Sequence, residues 1–184
     1  MKKQKIVSIV GAGVIGAGWA ARMLASGLIV KAYDPSKNAR KQLLLNTRTA
    51  FKSLRKLGVN KKAKLSNLKI YSKLKYSLAA TSFVQENAPE NENLKKKLLK
   101  EIDRLLPKNI IIASSSSGLL PSRIQSLCKY PERVCIGHPF NPVYLLPLVE
   151  LVSGKKTKKK TINEAKKFYE EIGMKPLVVK KEIE

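Results

Sequence analysis

Two rhythms of apolar and polar positions alternate along this chain. Short, nearly unbroken apolar runs are the pattern of strands buried on both faces, and stretches in which apolar residues return every three or four positions are the pattern of amphipathic helices. Runs of the first kind predict strands over 5–10, 28–33, 65–71, 82–86, 109–113, 133–137, 146–152 and 175–180. Stretches of the second kind predict helices over 14–26, 36–57, 90–106, 121–129 and 157–173, with Gly27, Gly58 and Pro107 as stops. Between 72 and 80 the pattern assigns no element. Strand and helix alternating in this way is the signature of an α/β fold, a Rossmann-type doubly wound, mostly parallel sheet. No internal repeat or long linker interrupts it, so residues 1–184 read as one domain.

The first strand runs straight into Gly11-Ala12-Gly13-Val14-Ile15-Gly16 and the first helix. In a strand–turn–helix of this kind each glycine has a task. Gly11 makes the turn, Gly13 lets backbone approach a pyrophosphate, and Gly16 lets the helix pack closely on the strand. The open N–H groups of the helix then face the phosphates. Asp34 ends the second strand about 20 residues on, where a carboxylate can take a ribose diol. An acid there repels a 2′-phosphate, so the expected cofactor is NAD rather than NADP. An ordinary turn or helix cap is the alternative for Asp34-Pro35-Ser36.

Two later strand ends carry further chemistry. Residues 109–113 lead into Ser114-Ser115-Ser116-Ser117-Gly118, at the carboxyl end of a strand where open α/β sheets bind ligands. A flexible loop ahead of a helix is the plainer reading. The next strand ends at His138, the single histidine, and Glu150 lies within the apolar strand that follows. A carboxylate in such a strand is costly to bury alone, and the histidine is its natural partner. Such a pair fixes the ring tautomer and suits a general base.

Composition changes this picture little. The net charge of +24 raises the possibility of a nucleic-acid partner, but the lysines fall on what would be solvated helix faces without interleaved aromatic residues. With Cys128, Cys135 and one histidine, no metal site is expected, and reduced thiols suit a cytoplasmic protein. The start of the chain is unlike a signal peptide, no apolar run is long enough to span a bilayer, and no membrane partner is expected.

With these residues in view the chain resembles the NAD-binding domain of the 3-hydroxyacyl-CoA dehydrogenase family. The resemblance rests on residues 10–22, on Phe83-Val84-Gln85-Glu86, on 114–121 and above all on the block from His138-Pro139-Phe140-Asn141-Pro142 to Glu150. It implies NAD as cofactor, His138 as catalytic base, Glu150 as its orienting carboxylate and Ser117 as a hydrogen-bond partner of the reacting oxygen, with Asn141 beside them. It further implies cofactor contacts from Glu90 and Lys95. The substrate is then a small molecule with a secondary 3-hydroxyl, carnitine or a 3-hydroxyacyl-CoA, and the version Tyr144-Leu145-Leu146-Pro147 points to the carnitine branch. Family members continue beyond a stretch like 180–184 into a helical domain that completes the substrate pocket and much of the dimer interface. The expectation is that this chain lacks that domain and works with a separate helical partner or as a homodimer. A cofactor-binding module without turnover and a basic nucleic-acid-binding protein on a borrowed fold remain as alternatives.

Overall fold

The computed structural model describes residues 4–182. Expectations that rest on residues 1–3 and 183–184 lie outside the described residues. In chain order the elements are β1 (Ile6–Val10), α1 (Val14–Ala25), β2 (Ile29–Tyr33), α2 (Lys37–Leu57), β3 (Leu68–Tyr71), α3 (Leu74–Leu78), β4 (Phe83–Glu86), α4 (Glu92–Leu105), β5 (Ile111–Ser114), α5 (Pro121–Ile124), β6 (Val134–Pro139), β7 (Leu148–Ser153), α6 (Lys159–Glu171) and β8 (Lys175–Val179). The eight strands form one sheet in the order β3-β2-β1-β4-β5-β6-β7-β8. All neighbours are parallel except β6 and β7, which are antiparallel.

Alternation along the central strands divides the core into two layers. Val7 and Ile9 of β1, Phe83 of β4 and Cys135 of β6 face α1, α2 and α6, meeting Trp19, Met23, Leu43, Phe51 and Phe168. Val10, Val84, Ile112 and Ile136 face the other way, onto Leu74 and Leu78 of α3, Leu99 and Ile102 of α4 and Ile124 of α5. The strand order reverses between β1 and β4, which opens a crevice at their carboxyl ends.

Most ends shift by one or two residues, and three larger differences from the sequence reading each have a local reason. The stretch left without an element contains the short helix α3, whose buried Ser77 carbonyl accepts from Ser8 Oγ at 2.6 Å. Helix α4 begins at Glu92, because Asn91 caps it by accepting from the Leu94 amide at 2.9 Å, so Glu90 lies in the preceding loop. The helix expected over 121–129 ends at Ile124. Buried Asp103 takes the amides of Lys129 and Tyr130 at 2.6 and 3.2 Å and pairs with the Arg133 guanidinium at 2.7 Å, which holds that segment in a turn.

Candidate functional site

The crevice begins at the glycine turn. Gly11 has φ +100°, and a Cβ there would come within 2.6 Å of the Asn87 backbone. A Cβ on Gly16 would collide with the Gly11 carbonyl oxygen, so the close packing of α1 on β1 needs both glycines. Around Gly13 there is open space. Gly13 is the N-cap of α1, it offers no side chain to the helix amides, and no acid stands in the first turn. Those amides are left for an outside anion, the role that the turn gives to Gly13, Val14 and Ile15.

Asp34 bridges the turn to the next helix. Its Oδ2 accepts from the Ala12 amide at 2.9 Å and its Oδ1 from the Ser36 amide at 2.8 Å. Each oxygen keeps a further lone pair for a hydroxyl. A cavity of about 460 Å³ opens beside it, lined by Tyr33, Pro35, Pro89, Leu94 and Leu98 among others. An apolar slot next to a carboxylate suits a nucleoside, with the base between the side chains and the ribose diol on Asp34.

Across the crevice, β6 carries His138 and β7 carries Glu150. The antiparallel register sets the two residues directly opposite each other, and His138 Nδ1 lies 3.0 Å from Glu150 Oε2. Burial does not force this pair together, since the side chains remain 25% and 35% exposed. Register does. With Nδ1 turned to the carboxylate, the proton belongs on Nδ1 and Nε2 is left as the acceptor.

His138 and Ser117 each border two cavities. The one of about 280 Å³ is lined on its other sides by Ile15, Asn87, Glu90 and Ser115, and so lies toward α1. The other, about 190 Å³, holds Glu150, Leu120, Val152 and Lys181. The histidine ring is thus open to two spaces, one toward α1 and the glycine turn and one on its other side.

Glu90 shapes the serine loop. Its Oε1 accepts from the amides of Ser117 and Gly118, both at 3.0 Å, and from Ser116 Oγ. Burial pushes this carboxyl up, but the bonds from Ser116, Gly118 and Ser117 and the charge of Lys95 outweigh that and hold it below its ordinary 4.5. The Lys95 ammonium itself is buried against Glu86, at 2.9 and 3.0 Å from the two carboxylate oxygens, and donates to the Ala88 carbonyl at 2.9 Å. Its chain lines the cavity while its charge is already matched. Asn141 is exposed in the loop after β6, and no hydrogen bond joins its side chain to His138 among the described residues.

Sequence reasoning gave no role to Glu86 or Gln85 and took Ser115 only as part of the serine loop, and all three pack around this crevice. The signal was available in Gln85 and Glu86, two polar residues at the end of an otherwise apolar strand that must each find a buried partner.

The crevice from Asp34 to His138 is long enough for a dinucleotide. The sequence model of the 3-hydroxyacyl-CoA dehydrogenase NAD-binding domain matches residues 6–183. The chain is 47% identical to an L-carnitine dehydrogenase from Bacillus cereus, over 98% of this chain and 55% of that protein. Among solved structures, an NAD+-dependent FHMPC 5-dehydrogenase superposes with a TM-score of 0.91 at 29% identity, over 98% of this chain and 59% of that one. The (S)-3-hydroxybutyryl-CoA dehydrogenase of Ralstonia eutropha superposes with a TM-score of 0.89 at 32% identity, over 98% and 65%. The chain spans about half the length of the curated relatives it matches, between 54% and 59% of the first three. With the NAD-binding-domain model matching nearly the whole of this sheet and its helices, the chain belongs to the 3-hydroxyacyl-CoA dehydrogenase family and carries its NAD-binding domain.

Proposed function

We propose that this chain is the catalytic cofactor half of an NAD-dependent dehydrogenase that oxidises a secondary 3-hydroxyl to a ketone, with L-carnitine as substrate. The observation that carries the reading is the 3.0 Å contact between His138 and Glu150 at the border of the dinucleotide crevice. The name borne by the 47% identical relative supports carnitine.

Oxidising a secondary alcohol requires a proton to leave oxygen and a hydride to leave carbon. NAD, when bound, supplies the hydride acceptor. The proton is the task of His138, whose Nε2 accepts it while Nδ1–H stays on Glu150, and the carboxylate stabilises the imidazolium that forms. Ser117, bordering both cavities, donates to the substrate oxygen and holds it near Nε2. Glu90 fixes the Ser117 amide and so the position of that hydroxyl. Asp34 and the α1 amides bind the far half of the cofactor. Lys95 supports the loop after β4 through the Ala88 carbonyl.

The test is NAD reduction with L-carnitine and a short 3-hydroxyacyl-CoA side by side, by this chain alone and mixed with the remaining domain of a carnitine dehydrogenase. Signal with carnitine only is expected, and signal only with the acyl-CoA would replace the substrate. His138→Ala should cut turnover by about 10²–10⁴-fold and leave NADH affinity within about twofold. Retention of most activity would remove the histidine from the mechanism.

A further inference from the structure

A buried chain of hydrogen bonds runs along one face of the sheet, from α6 to the crevice, and its protons can be ordered without ambiguity. Tyr169 of α6 is fully buried, and its hydroxyl donates to Gln85 Oε1 at 2.5 Å. Burial pushes the Tyr169 hydroxyl well above its ordinary range, so it keeps its proton. With Oε1 of Gln85 fixed as acceptor, Nε2 must donate, and it does so to Ser115 Oγ at 2.9 Å and to the Gly137 carbonyl at 3.2 Å. Ser115 Oγ also accepts from Trp19 Nε1 at 3.1 Å. Its own proton then goes to Asn87 Oδ1 at 2.7 Å, which turns Asn87 Nδ2 toward the Gln85 carbonyl at 2.9 Å.

Two consequences follow from that order. Ser115 gives one hydrogen bond and accepts two, so it has nothing left for a ligand, and Asn87 is held by both ends of its amide. Both residues line the cavity next to His138, where they act as a fixed wall. The Gly137 carbonyl held by Gln85 belongs to the residue before the histidine, and a Cβ on Gly137 would strike the Tyr169 hydroxyl. One tyrosine thereby sets the wall of the cavity and the strand segment that carries the base.

We propose that Tyr169 and Gln85 are positioning residues for the nicotinamide half of the cofactor, acting from behind the cavity wall through Ser115, Asn87 and the Gly137 carbonyl. The proposal rests on the dehydrogenase reading above. Neither residue lines the nucleoside slot beside Asp34, so their effect should stop at the half of the crevice near His138.

The experiment compares two probes on this chain, NADH and ADP-ribose, the second lacking the nicotinamide. Tyr169→Phe deletes the hydroxyl that starts the chain and leaves the ring packing on Trp19 and Phe83 in place. It should weaken NADH by about fivefold or more while ADP-ribose changes by less than about twofold. Should the single variant fail to fold, Tyr169→Phe with Gln85→Met replaces both buried partners by apolar groups of similar shape and should give the same divergence. Equal weakening of both probes, or of neither, overturns the positioning role. A wild-type chain that binds neither probe sinks the cofactor reading itself, an outcome distinct from loss of the divergence.

Discussion

Asp34 shows how much one carboxylate can do at the end of a strand. It ties the glycine turn through the Ala12 amide, starts α2 through the Ser36 amide and still has lone pairs facing the nucleoside slot. Asp34→Ser should lower NAD affinity by about 10- to 100-fold and narrow the preference for NAD over NADP, as measured by fluorescence titration with the reduced forms. Unchanged discrimination would move the ribose elsewhere. Glu90 gives a second single-residue effect, this one dependent on pH. Its folded carboxyl titrates below its ordinary 4.5, so what it adds to the serine loop is complete above that value and is lost as pH falls through the lower folded value. Amide exchange at Ser117 and Gly118 should therefore accelerate beyond the intrinsic trend below about pH 4.5, and Glu90→Gln should remove that acid dependence. The positions of Asp34 and His138 were legible because the apolar pattern of a strand stops at each. The roles of Glu90 and Lys95 were not, because an acid and a lysine near a helix start look alike whether they face a loop, a ligand or a buried partner.

Elements were legible where the apolar rhythm is continuous and illegible where side chains from elsewhere decide. All eight strands overlap the runs that predict them, with β5, β6 and β7 running one or two residues past the expected end, and the match is firmest for the central strands buried on both faces. Helix α5 stops early since Asp103, distant in sequence, claims two amides beyond it, and no local pattern contains that information. The antiparallel direction of β7 is likewise absent from its apolar run, although it is what sets His138 opposite Glu150. Strand β4 and helix α4 are joined by the Glu86–Lys95 pair, in which both side chains are almost wholly buried. Glu86→Gln leaves the buried Lys95 ammonium with only the longer carboxylate contact, to Glu90 at 3.6 Å, and should cost about 3 kcal/mol of unfolding free energy in urea titration, whereas Glu86→Gln with Lys95→Met should recover much of it. Failure of the double variant to recover would mean that the pair's other bonds, to Ser114 and Ala88, matter more than its charge.

At the scale of the whole molecule, one sheet with a layer of helices on each face accounts for nearly all the apolar burial, and the family relationship covers residues 6–183. The charge of +24 stands apart from that plan. Like charges spread over the surface repel one another in the compact state more than in the expanded one. Raising salt from about 10 mM to about 150 mM shortens the screening length from about 30 Å to about 8 Å, and the melting temperature should rise over that range. A flat or falling midpoint would mean that the lysines are far enough apart to ignore one another. The cross-strand register of His138 and Glu150 has an all-or-none character. Side chains alternate between faces along a strand, so a slip of β7 by one residue would carry Glu150 to the opposite side of the sheet. No half-formed version of the pair exists between those arrangements. The only histidine in the chain is thus a built-in gauge of whether this border of the sheet is correctly laced.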